Sequence, residues 1–217
     1  CSSDLQDVIE SRIFKGKAIL LFGARQTGKS TLSDMIISGN PSDTLVLNGD
    51  EEEVRQLLLS PSIARLKMII GRKKVLLIDE AQRLEKIGLT LKLITDQIKE
   101  VQVIATGSSA FDLSGKVNEP LTGRKFEFTL FPLSFQEMQE HHGWLEEKRQ
   151  LERRMLYGYY PEVVTHPEEA TERLKLLAGS YLYKDLLMLD GIKKPTLLDK
   201  LLRALALQIG KIGRAHV

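Results

Sequence analysis

A short apolar run, residues 17–22 (KAILLF), leads straight into Gly23-Ala24-Arg25-Gln26-Thr27-Gly28-Lys29-Ser30. This octapeptide fills every fixed position of G-x-x-x-x-G-K-[ST], and no other feature of the chain restricts its fold so tightly. Glycines let the backbone turn sharply and aim successive N–H groups at phosphate oxygens, while a helix starting there offers its positive end. Lys29 is placed to reach the β- and γ-phosphates, and the Ser30 hydroxyl to coordinate Mg²⁺. Such a loop needs a buried strand before it and a helix after it.

The surrounding pattern supplies both. Further apolar runs at residues 44–47, 75–78, 101–105 and 126–131 make five candidate strands. Segments with helical spacing separate them at residues 30–37, 51–59, 63–70 and 89–98. Strands alternating with helices predict a parallel sheet covered on both faces, a three-layer α/β core over residues 1–133. After Pro132 the periodicity turns helical, with breaks at Gly143, Gly158, Pro161, Pro167 and Pro195. Residues 134–195 therefore read as a helical, lid-like appendage. Residues 196–209 (TLLDKLLRALALQI) read as one amphipathic helix with Thr196 suited to capping it, opening a further unit over residues 196–211. The final six residues, 212–217, resemble the translation of a sequencing adapter and are expected to lie outside the natural protein, which would then continue past Lys211.

The run at residues 75–78 delivers Asp79 and Glu80 from its C-terminal end, the edge at which open α/β sheets bind ligands. Asp79 is the expected partner of Ser30 on Mg²⁺, and Glu80 the group that orients and deprotonates an attacking water. An acid directly after the metal-site aspartate marks the division of such proteins in which a strand separates the loop strand from the aspartate strand, giving the order 5-1-4-3-2. Residues 101–105 supply that middle strand. Ser108 or Ser109, just beyond it, would place a hydroxyl near the γ-phosphate, with a self-satisfied strand-end turn as the alternative. Arg124, before the fifth strand, is a candidate for reaching the γ-phosphate of its own or a neighbouring subunit, and Arg83 a weaker one; an ordinary surface arginine is the alternative for each.

These residues together, GARQTGKS, LLIDEAQR, ATGSSAFDL, EPLTGRKFEFTLFPLSFQE and GYYPEVV followed by YLYKDLL, resemble a family of bacterial and archaeal AAA-type ATPases whose members pair such a core with a helical segment, a winged-helix-like region, of which residues 196–211 would be the first helix, and a C-terminal domain of uncharacterised function. The resemblance spans roughly residues 17–210 and implies nucleotide contacts from Gly23, Ala24, Arg25, Gln26, Thr27, Gly28, Lys29, Ser30 and Thr31. It further implies Mg²⁺ on Ser30 and Asp79, catalysis by Glu80, Ser108 as a sensor and Arg124 as a contact. Ala24 stands where these proteins often have proline and Ser30 where threonine is usual; neither change removes a needed hydroxyl or N–H.

The implied activity is Mg-dependent ATP hydrolysis serving as a conformational switch for a downstream domain or an unidentified protein partner, and an oligomer is compatible with it. A P-loop phosphotransferase is the competing enzyme reading, distinguished by dependence on an acceptor. A nucleotide-regulated DNA-binding protein is the third, and would need a further C-terminal region, because 31 basic against 29 acidic residues give no general attraction for nucleic acid. The basic clusters at Arg72, Lys73, Lys74 and at Lys148, Arg149, Arg153, Arg154 read as solvated faces. No apolar run is long enough for a bilayer, and a single cysteine suits a reducing compartment, so a cytoplasmic location without membrane contact is expected. His141, His142 and His166 lack metal-ligand spacing and read as exposed.

Overall fold

A computed structural model describes residues 2–39, 41–108, 120–179 and 195–208. Five strands, β1 (Ala18–Phe22), β2 (Thr44–Asn48), β3 (Val75–Asp79), β4 (Gln102–Gly107) and β5 (Lys125–Thr129), pair in parallel in the order β2-β3-β4-β1-β5. This is the expected order 5-1-4-3-2 read from the other edge.

The strand sequences explain why the sheet is covered on both faces. Side chains alternate across a strand, and every residue of β1 is buried. Leu20 and Phe22 join one apolar cluster with Leu76, Ile78 and Val103. Ile19 and Leu21 join the other with Leu77 and Ile104. The first cluster is closed by α3 (Glu52–Leu58), α4 (Ile63–Ile70) and α5 (Ile87–Gln97), which contribute Leu58, Leu66, Ile70, Leu91 and Ile94. The second is closed by α1 (Ser2–Glu10) and α2 (Lys29–Ile37) through Ile9, Leu32 and Ile36. Each fully buried leucine or isoleucine in these layers contributes about 1.5–3 kcal/mol relative to exposure. The pattern of the first ten residues does not announce α1, because Ile9 is its one buried apolar side chain among those described.

Beyond the sheet come α6 (Phe135–His142), α7 (Trp144–Arg149), α8 (Leu151–Tyr157), α9 (Pro161–Thr165) and α10 (Ala170–Leu177). Ser134 and Glu137 form a reciprocal capping box at the start of α6. Gly143 and Gly158 break the helices at positive φ, 94° and 75°, as the sequence breaks predict. A quartet of side chains around one buried carboxylate joins these pieces. The Glu147 carboxylate, 0% exposed, accepts from Tyr159 Oη (2.7 Å), Arg154 Nε (3.2 Å) and His142 Nε2 (2.9 Å).

Two expectations change here. His142 is not an exposed histidine but a half-buried partner of Glu147, whereas His141 and His166 are exposed. Arg154 is 6% exposed and leaves the solvated basic face on which Lys148 and Arg149 remain. The bend at Gln150 between α7 and α8 turns its guanidinium onto the carboxylate one helix earlier.

The chain divides into two units, Cys1–Leu174 and Lys175–Val217. In the second, α11 (Pro195–Ala206) opens on proline, which suits a first helical turn, so Thr196 lies inside the helix rather than capping it. Ile209, the final six residues and the YLYKDLL segment lie outside the described residues. Among the described residues no helix is long and apolar enough to cross a membrane.

Candidate functional site

The C-terminal ends of β1, β3 and β4 bring the sequence-predicted residues to one edge of the sheet. From Phe22 the chain turns through residues 23–28 and enters α2 at Lys29. The turn is tight enough that a Cβ on Gly23 would run into the Leu130 carbonyl oxygen and lie 3.1 Å from Thr27 Oγ1. Thr27 donates its hydroxyl proton to the Ala24 carbonyl at 2.8 Å. The buried Lys29 ammonium donates to the carbonyls of Gly23 (2.9 Å) and Ala24 (2.8 Å), which folds its charge back across the loop. Ala24 and Arg25 are half-buried, Gln26 is exposed at φ 62°, and Ser30 and Thr31 lie exposed in the first turn of α2.

β3 carries Asp79 to the same place. Ser30 Oγ donates to Asp79 Oδ2 at 3.3 Å, across 49 residues of sequence. The other oxygen, Oδ1, accepts from the Glu80 backbone N–H at 3.1 Å and from the Thr106 hydroxyl. A hydroxyl and a carboxylate oxygen side by side are the hard donors that suit Mg²⁺, which keeps several waters and takes its remaining ligands from phosphate. The donor set fits that ion. Among the described residues no group of three or more His, Cys, Asp or Glu side chains could hold a metal by itself.

Glu80 stands next to Asp79 in a left-handed conformation, φ 48° and ψ 41°, uncommon for a residue with a side chain. Its carboxylate accepts from Gln82 Nε2. The turn after β2 packs beneath its backbone, where a Cβ on Gly49 would come within 2.5 Å of the Glu80 carbonyl oxygen. That turn is itself braced. Arg83 Nε pairs with Asp50 Oδ1 at 3.0 Å, and Arg55 donates to the carbonyls of Gly49 (3.0 Å) and Asp50 (2.6 Å). Arg83 is thus tied to the turn rather than held out toward a phosphate. Gly49→Ala is expected to displace Glu80, lowering stability by about 1–3 kcal/mol and slowing any hydrolysis; urea unfolding and phosphate release measured on the same preparation check it.

β4 ends beside both. Ser108, directly after it, is 3% exposed, and its Oγ is buried without a hydrogen-bond partner among the described residues. Leaving such a group unmet costs about 1–3 kcal/mol, the kind of expense found where a side chain serves a ligand. Ser109 lies outside the described residues. Thr106, which the sequence reading passes over, is fully buried and reaches Asp79. The available signal was the strand order: once β4 lies beside β3, a hydroxyl one step past the Ile78↔Ala105 pair faces the aspartate.

Arg124 is the departure. It opens β5 at the opposite edge, where its carbonyl accepts from the Ala18 N–H at 2.9 Å, while the loop follows Phe22 at the other end of β1. Four steps of about 3.3 Å put those ends roughly 13 Å apart. Its guanidinium pairs with Asp96 at 2.7 Å. Within its own chain, strand direction sets Arg124 at the end of the sheet away from the loop.

Residues 15–139 match the family described as an AAA domain, and residues 148–215 match a domain of unknown function, DUF8612. An uncharacterised protein of Mycobacterium tuberculosis is 30% identical over 113 residues, 52% of this chain and 24% of that protein. An uncharacterised protein of Haemophilus influenzae is 27% identical over 211 residues, 89% of this chain and 52% of that protein. The chain spans about a quarter to about half the length of these relatives. Among solved structures, the Thermotoga maritima RuvB Holliday junction branch migration motor aligns with TM-score 0.42 and 20% identity over 70% of this chain and 50% of that one. A DNA replication initiation factor aligns with TM-score 0.48 and 13% identity over 79% and 62%.

Proposed function

This chain belongs to the AAA domain family, and from that membership and the geometry at the strand ends we propose that it binds ATP with Mg²⁺ and hydrolyses it. The observation that carries the reading is the meeting of Ser30 Oγ and Asp79 Oδ2 at 3.3 Å, directly after the buried Lys29 in the chain. Backbone N–H groups of residues 23–30 hold the phosphates, with Thr31 beside them at the start of α2. Lys29 leaves the Gly23 and Ala24 carbonyls for phosphate oxygens. Ser30 and Asp79 hold Mg²⁺, which when bound withdraws charge from the phosphate oxygens. Glu80 accepts the proton of the attacking water, once its carboxylate is free of Gln82. Ser108 supplies its unmet hydroxyl to the γ-phosphate. A contribution from Arg124 is one made to the site of a neighbouring copy, with Asp96 holding the side chain in its own.

The use of hydrolysis is a switch acting through the helices that follow the sheet, α6 to α9. Leu130 N donates to the Phe22 carbonyl at 2.7 Å, beside the loop, and Leu133 N donates to the Tyr159 carbonyl at 3.0 Å, among the helices. Rearrangement of the loop on γ-phosphate loss is therefore relayed to the helices.

The test is release of inorganic phosphate from ATP by the purified chain with no acceptor added. Lys29→Ala is expected to lower it by about 10²–10³-fold, as for loss of a donor to developing charge. Phosphate transfer that strictly requires an acceptor would replace this reading with a phosphotransferase, and turnover unaffected by Lys29→Ala would remove the site.

A further inference from the structure

Asp79 offers two carboxylate oxygens, and their surroundings differ. Among the described residues Oδ2 takes the Ser30 hydroxyl alone, whereas Oδ1 takes both the Glu80 N–H and the Thr106 hydroxyl. Terminal carboxylate torsions are broad and roughly two-fold, so an unrestrained aspartate at a strand end would exchange its oxygens and swing. Thr106 is positioned to stop this. Its side chain is 0% exposed, it lies on the fully buried strand β4, and β4 is hydrogen-bonded to both β1 and β3. Its hydroxyl in turn has Asp79 as its acceptor. A second donor that orients a metal-binding carboxylate acts on the ion through that carboxylate.

We propose that Thr106 is a positioning residue for the cation site: by occupying Asp79 Oδ1 it reserves Oδ2 for the ion. The proposal rests on the reading of Ser30 and Asp79 as the Mg²⁺ pair. A merely structural threonine would matter for packing and not for which divalent concentration the site requires. Thr106→Val keeps the shape and β-branching and deletes the donor, while Thr106→Ser keeps the donor and deletes a methyl group.

The experiment is binding of a fluorescent ATP analogue to the whole chain as Mg²⁺ is titrated, with thermal unfolding measured without nucleotide or Mg²⁺. Thr106→Val is expected to raise the Mg²⁺ concentration for half-maximal binding by about 10–100-fold, with analogue affinity in EDTA unchanged. Thr106→Ser is expected to restore the unaltered value. Should Thr106→Val fail to unfold cooperatively, Thr106→Ala carries the same expectation. An unshifted Mg²⁺ midpoint in the valine or alanine variant, or a shift that serine does not rescue, overturns the inference while leaving the site intact. If the unaltered chain binds the analogue with no dependence on Mg²⁺, the reading of the cation pair fails and takes the inference with it.

Discussion

Glu80→Gln is expected to leave ATP and Mg²⁺ bound while turnover falls by about 10²–10⁴-fold, the usual worth of a positioned general base. The two side chains have nearly the same shape, and Asp79 keeps its contacts to Ser30 and Thr106, so the binding apparatus is untouched. What is lost is basicity at one position. The left-handed backbone at Glu80 is held by the close approach of Gly49, so the amide stays where the carboxylate was. Phosphate release and nucleotide affinity measured side by side separate the two effects. Undiminished release would transfer the proton-accepting role to another group, and lost binding would mean that Glu80 supports the loop rather than the chemistry.

Glu147→Ala is expected to destabilise the first unit by about 3–5 kcal/mol, because it strands Arg154 as a buried charge with no counter-ion. Tyr159 and His142 lose their acceptor at the same time. Replacing Glu147 and Arg154 together by apolar residues is expected to recover most of the loss. Denaturant unfolding of the single and double variants tests this, and a double variant no better than Glu147→Ala would show that the pair is not the source. The quartet also sets a pH dependence. Burial alone would raise the Glu147 carboxyl, but hydrogen bonds from Tyr159 and Arg154, the Arg154 charge and the His142 contact outweigh it and hold the group below its ordinary 4.5. A depressed carboxyl contributes stability that is complete above about 4.5 and is lost as the pH falls through the lowered value. Burial, then the bond it donates to Glu147, pushes the Tyr159 hydroxyl from 10.0 up to about 12. Its contribution is complete below 10.0 and is lost as the pH rises toward 12.

The sheet was readable because its signals are local. An apolar run of strand length, a glycine-rich turn and an acid pair each sit within a few consecutive residues, and the acid after Asp79 carries the strand order with it. Ser30 and Asp79 meet because that order and the parallel direction leave them one edge to share. Arg124 shows where the reasoning stops. Its motif is local too, but which end of the strand it occupies depends on the direction in which β5 runs beside β1, and that places it away from the loop. Thr106 was hidden for a related cause, since its acceptor lies 27 residues earlier and the bond exists only once β3 and β4 are adjacent. The Glu147 quartet is invisible to periodicity. Glutamate and arginine on short helices look like surface, and only the bend at Gln150 turns them inward.

The stretch from Leu130 to Leu133 is four residues long, anchored at one end to the strand feeding the phosphate loop and at the other to Tyr159. An added residue there would not be a harmless decoration of the surface: the Leu130 bond to Phe22 and the Leu133 bond to Tyr159 could no longer both be kept at their present spacing, and the proposed relay would lose one of its two anchors.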